Sequence, residues 1–166
     1  SLRRYEKAWR PYEQKIISAM CDILGLEFRQ NIIDIYVAPF YSSFSNPMFI
    51  ATKYTADRAV EVITHELIHR LLTDNIQTSY ETPYAKKWKQ LFHHTDDLSW
   101  NVIVHIPVHA VLQMIFDDVL KESQRTKRDK QICKNWPDYY AAWECVDSVG
   151  YKHIIKQLQQ SYSEQQ

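Results

Sequence analysis

The chain has 166 residues, 45% of them apolar, and its twenty Lys and Arg balance twenty Asp and Glu. That length suits a single domain over residues 1–166 with a core of its own. Zero net charge with neutral histidines argues against a general nucleic-acid binder or a polybasic membrane binder.

The opening "SLRRYEKAWRPYEQ" is polar and aromatic, unlike a signal peptide. No run of about 18 apolar residues appears, so neither a transmembrane helix nor a membrane partner is expected. Cys21, Cys133 and Cys145 are odd in number and widely spaced, which predicts reduced thiols and a cytoplasmic setting. Only two glycines suit a mainly helical protein with few tight hairpins. "RPYEQKIISAMCDILGLEF" reads as a helix, with Pro11 in its first turn and Gly25 as its stop. β-branched residues predict a strand over about 31–38, a loop at "YSSFSNP" and a short second strand at "MFIAT". Thr55 is placed to cap a helix over about 56–73, closed by Asp74 and Asn75. "ETPYAKKWKQLF" resembles a short helix with Thr82 as cap. "DDLSWNVIVHIPVHAVLQMIFDDVLKES" resembles a long one despite Pro107. "PDYYAAWECVDSV" and "YKHIIKQLQQ" read as closing helices separated by Gly150. The fold class expected is α+β and mainly helical, with a small sheet before the 56–73 helix and further helices after it.

The stretch "VEVITHELIHRLLTD" sets the functional question. His65 and His69 are four residues apart, with Glu66 between them, in a helix otherwise lined by Val62, Ile63, Leu67, Ile68, Leu71 and Leu72. Burying ionisable groups is costly unless they have partners. Residues four apart sit one turn up and roughly 40° round an α-helix, so both imidazoles can aim at one point. Zinc accepts neutral imidazole nitrogens at about 2.0–2.1 Å, which such a pair can supply. Glu66 is rotated by about 100° from the first ligand and can instead reach a water on the metal. This is the His-Glu-x-x-His arrangement, with Glu66 as general base.

At these residues the sequence resembles the zincin metallopeptidases, with a gluzincin-like "THELIH" on the active-site helix. The likeness covers about residues 48–73. The metzincin extension is missing after His69, and so is the Asn-Glu-x-x-x-Asp-like setting of a gluzincin third ligand. Arg70 stands where related motifs carry an uncharged residue. The resemblance implies a zincin-like fold, a Zn2+ cofactor and a peptide or protein substrate. It also implies an edge strand beside the helix to pair with that substrate; "PMFIAT" is the candidate, and Met48 and Phe49 in it read equally well as core residues.

Catalytic zinc usually has three protein ligands and one open position. His105 and His109 are again four apart on a predicted helix, in line with Leu112 and Phe116. His105 is taken as the third metal ligand. His109 is taken as a supporting group or as a donor to the developing oxyanion. Rivals for the third position are Glu144 and Glu122, and His93 and His94 read as surface or capping residues. Tyr80, Tyr84, Tyr139 and Tyr140 are all candidate oxyanion donors.

These residues predict peptide hydrolysis by a zinc-activated water, with Glu66 as base and then as acid. The alternative is a non-catalytic pseudo-peptidase with a closed, histidine-rich zinc site that acts through a protein partner. A di-iron bundle would need a second Glu-x-x-His, which is absent. A peptide deformylase would need a cysteine ligand in a Gly-Cys-Leu-like setting, which Cys21 lacks.

Overall fold

The computed structural model describes residues 2–39, 42–75, 88 and 98–163. The predicted helix at "ETPYAKKWKQLF", apart from Trp88, and the side chains of Tyr80, Tyr84, His93 and His94 lie outside the described residues. The protein is mainly helical with a small three-stranded sheet. Its backbone divides into two compact units, Ser1–Asp22 with Leu26–Asn75, and Ile23–Gly25 with Ile76–Gln166.

Helix α1 spans Leu2–Trp9 in the first unit, and α2 spans Glu13–Leu24, whose residues up to Asp22 belong to the same unit. α1 was not anticipated: it is largely polar, and the residues it buries are Tyr5 and Trp9, one turn apart. The Tyr5 hydroxyl lies 3.1 Å from the Ala51 carbonyl oxygen and 2.9 Å from that of Tyr54, so it ties α1 to the segment that leads into the helix beginning at Ala56. Pro11 falls in the turn before α2 and not inside it. Gly25 adopts φ +64° and ends the helix as expected, a conformation that costs glycine little.

Strands β1 (Ile35–Ala38), β2 (Phe44–Ser45) and β3 (Met48–Ala51) form the sheet in the order β1-β3-β2. β1 runs parallel to β3, with Ile35 opposite Met48 and Ala38 opposite Ala51. β2 runs antiparallel to it, with Phe44 opposite Phe49. The segment expected to be an open edge is therefore the central strand. The stretch read as the loop "YSSFSNP" supplies β2, which occupies the backbone groups of β3 that a peptide would have used.

Helix α3 (Ala56–Asp74) follows, capped by Thr55, whose hydroxyl oxygen accepts from the Arg58 amide at 3.2 Å. At its other end the Asn75 side chain donates to the carbonyls of Leu71 and Glu27, both at 2.9 Å. The helix is buried on nearly every face, so its hydrophobic pattern has little sidedness.

Arg70 explains its own presence. Its buried guanidinium donates to Asp74 (3.2 Å), to the Ser45 carbonyl (3.2 Å), to the Asn46 side chain (3.0 Å) and to Gln30. One cation thus fastens the β2–β3 turn and the segment before β1 to the motif helix.

In the second unit, α4 spans Trp100–Gln113, capped by Ser99, and runs into a π-helical stretch over Met114–Val119. Helices α5 (Ser123–Cys133), α6 (Pro137–Val149) and α7 (Tyr151–Ser163) follow, and all three pack against α4. Every residue of α4 from Val102 to Leu112 is buried, Pro107 included. Trp100–Val119 is in fact long and apolar enough to cross a membrane by length and composition, and 72% of that stretch is buried inside the protein. The single long helix expected over 96–123 breaks after the π-helical stretch, where Lys121 takes φ +61°. α5 was not anticipated. Its buried residues are Arg125, Thr126, Asp129 and Cys133, so hydrophobic periodicity carries no trace of it.

Replacing Arg70 by Met would remove the buried donor that ties Gln30, Ser45, Asn46 and Asp74 together. Such a loss should cost about 3 kcal/mol of stability, read from urea unfolding of the two proteins. A change below about 0.5 kcal/mol, the size expected of an ordinary surface substitution, would contradict the role given to Arg70.

Candidate metal centre

The motif helix brings two of the expected ligands together. His65 and His69 are half-buried, and their rings meet edge to face with centroids 4.8 Å apart. Their Nε2 atoms lie 3.1 Å from one another. Two nitrogens that share a tetrahedral zinc at 2.0–2.1 Å would be about 3.3 Å apart, so the pair fits a zinc ion with almost no movement. The same separation also fits one ring donating to the other, and in either case both Nε2 atoms converge on one point.

Glu66 lies between them on the same helix and is 9% exposed. Burial alone pushes its carboxyl up to about 8, from an ordinary value of 4.5. Without a cation nearby, this side chain holds a proton at neutral pH. A divalent ion would favour its charged form and return it to the basic state.

In the second unit, α4 carries His105 and His109 one turn apart, with ring centroids 5.6 Å from each other. His105 is buried, and its Nδ1 donates to the Asn101 carbonyl oxygen at 2.6 Å. That bond fixes the proton on Nδ1 and places the lone pair on Nε2, the arrangement of a metal-binding imidazole. Desolvation lowers the pKa of His105, outweighing the opposing pull of the Asn101 carbonyl and of Asp129 and Asp138. The ring is therefore neutral, as a ligand must be. Tyr139 packs against it with centroids 4.2 Å apart, and the Asn101 side chain donates to Asp138 at 3.2 Å.

His109 is fully buried and stacks on the Trp143 indole at 4.3 Å and 10°. Of the two roles expected of it, this burial favours a supporting one over direct contact with substrate. Glu144 is exposed, and Glu122 is engaged by Arg125 at 2.5 Å, as suits a solvated helix face and an ion pair. Tyr140 is half-buried. Among the described residues, buried groups of His, Asp and Cys able to hold a metal ion are thus present.

Three residues around the histidines went unnoticed in the sequence: Asn101, Asp129 and Trp143. Asn101 acts through its backbone carbonyl, to which any residue type could contribute. Asp129 and Cys133 did carry a signal. They repeat the four-residue spacing of His65 and His69, but within a stretch too polar to read as buried.

The raised Glu66 pKa has a consequence for the metal-free protein. A carboxyl whose folded pKa exceeds its unfolded one stabilises fully below the unfolded value, and that contribution is lost as pH rises through about 8. His105, lowered in the folded state, works in the opposite direction and gains stability as pH rises through the ordinary imidazole range. Comparing wild type with Glu66→Gln cancels His105, which both proteins share. In the absence of metal, the melting temperature of wild type relative to the variant should fall between about pH 5 and pH 9. A flat difference would show that Glu66 is not in a dry setting.

No family model, curated protein or solved structure matches the chain, so its function is argued from these side chains.

Proposed function

We propose that the chain is a zinc-dependent metallopeptidase of zincin type. The observation that carries this reading is the 3.1 Å approach of the His65 and His69 Nε2 atoms one turn apart, with Glu66 between them on the same buried helix. Those two residues would hold the ion. His105 is proposed as the third ligand, because its tautomer and neutrality already suit one. A bound zinc would supply a Lewis acid that polarises the peptide carbonyl and lowers the pKa of water toward 7.

The remaining steps fall to this chain's own groups. The Glu66 carboxylate takes the proton of the attacking water and later gives it to the leaving amine. Its dry surroundings make that proton easy to hold, since burial favours the neutral acid. Asn101 keeps the proton of His105 on Nδ1 and so keeps Nε2 directed away from the helix backbone. Arg70 holds the turn between β2 and β3 against α3, which steadies the helix that carries His65, Glu66 and His69.

Glu66→Gln retains the shape of the side chain and removes the base. Peptide hydrolysis should fall by about 10²- to 10⁴-fold, the usual contribution of a general base, while metal content stays unchanged. Loss of metal in this variant would make Glu66 a ligand, and unchanged turnover would remove it from the chemistry. A wild type that binds zinc but cleaves nothing in a diverse peptide library would favour the closed, non-catalytic site.

Ligand assignment has a separate readout. His69→Ala should lower metal content by one ion per chain, and chelation should lower the melting temperature of wild type, since metal that binds only the folded state adds to its stability. His105→Ala should weaken zinc binding far more than His93→Ala or His94→Ala. Equal effects of the three would remove His105 from the site.

A further inference from the structure

The second unit contains a polar cluster that the proposed peptidase chemistry does not use. His109 on α4 and Asp129 and Cys133 on α5 are all buried, at 0%, 3% and 4% exposure. One ligand atom from each lies within 4.8 Å of the other two. The Cys133 Sγ and Asp129 Oδ2 atoms are 3.5 Å apart. A sulfur at about 2.3 Å and an oxygen at about 2.0 Å on one tetrahedral zinc would be separated by about 3.5 Å. Asp129 and Cys133 are also four residues apart on one helix, the spacing that lets two side chains meet at one point.

We infer that His109, Asp129 and Cys133 form a second metal site, which binds a borderline-soft divalent ion such as zinc and serves structure. The donor set is one imidazole, one carboxylate and one thiolate. Thiolate and imidazole select against magnesium and calcium, which take oxygen donors. Binding balances in charge: Cys133 releases its proton to solvent, and the thiolate and the Asp129 carboxylate together neutralise a dication beside a neutral imidazole. A neutral assembly is the form that a dry interior tolerates.

The surroundings are already arranged for it. The Trp143 indole N–H donates to Asp129 Oδ2 at 2.9 Å, which orients the carboxylate and would remain in place with metal bound. The Trp143 ring lies parallel to His109 and fixes the plane of the imidazole. Full burial of the ligands leaves no path for a substrate, which makes the role structural: the ion would join α4 to α5, a helix whose buried face is polar and contributes little hydrophobic burial.

Cobalt(II) replaces zinc and gives a thiolate-to-metal charge-transfer band in the near ultraviolet. The site proposed for catalysis contains no sulfur, so that band reports on the second site alone and is independent of the peptidase reading. Wild type loaded with cobalt should show it. The band should disappear in Cys133→Ser, with metal content lower by one ion per chain, and persist in His69→Ala, Cys21→Ser and Cys145→Ser. If Cys133→Ser does not fold, a wild-type band that survives in both Cys21→Ser and Cys145→Ser assigns the sulfur by elimination. A cobalt-loaded wild type without the band, or a band that survives in folded Cys133→Ser, would overturn the inference.

Discussion

The cost of removing ionisable groups from water governs this molecule. Helix α3 is buried on nearly all sides, yet its middle turns carry two imidazoles and a carboxylate. Each needs a partner or must stay neutral. The structure shows both responses. His65 and His69 converge to 3.1 Å, and Glu66 is driven by desolvation toward its protonated form. A divalent cation would answer both at once, by taking the imidazole lone pairs and stabilising the carboxylate. The supports of the helix matter for the same reason. The Thr55 cap, the Asn75 bonds and the Arg70 guanidinium fix where α3 begins, where it ends and what it lies against.

The second unit meets the same constraint with different chemistry. Its central helix α4 is apolar enough to span a membrane, but it buries two histidines. His105 donates its Nδ1–H to a backbone carbonyl one turn back, whereas His109 lies on an indole beside Asp129 and Cys133. Around them α5 turns polar residues inward: Arg125 meets Glu122, Thr126 donates to Asp117 at 2.7 Å, and Asp129 accepts from Trp143. Buried polar networks of this kind are stabilising when complete and costly when broken, so the cluster around Asp129 should tolerate few substitutions.

Much of the fold was legible because its signals are local. Thr55 caps α3, Asn75 closes it, Gly25 and Gly150 end their helices with positive φ, and α6 and α7 fall where their patterns place them. The mainly helical α+β class followed from those same signals. Non-local features were not legible. β2 is two residues long, and only its partner reveals it as a strand; its pairing turns β3 from an edge into the centre of the sheet. The break after α4 depends on π-helical bonding and on a left-handed Lys121, neither of which has a composition signature. α5 hid because its inward face is polar. At the site, the His65 and His69 spacing was readable because helix geometry alone makes the two rings meet. The proton position on His105 was not, since it depends on the carbonyl of Asn101 and on burial.

The 3.1 Å approach of His65 and His69 suits a shared metal ion and also a bond between the two rings. Anomalous diffraction at the zinc edge, from a crystal grown with zinc, separates the two directly. With a shared ion, a peak is expected about 2.0–2.1 Å from the Nε2 atoms of both His65 and His69, the usual zinc–imidazole distance. Density with no anomalous peak there, and the two rings still 3.1 Å apart and bonded to each other, would contradict the proposed metal site.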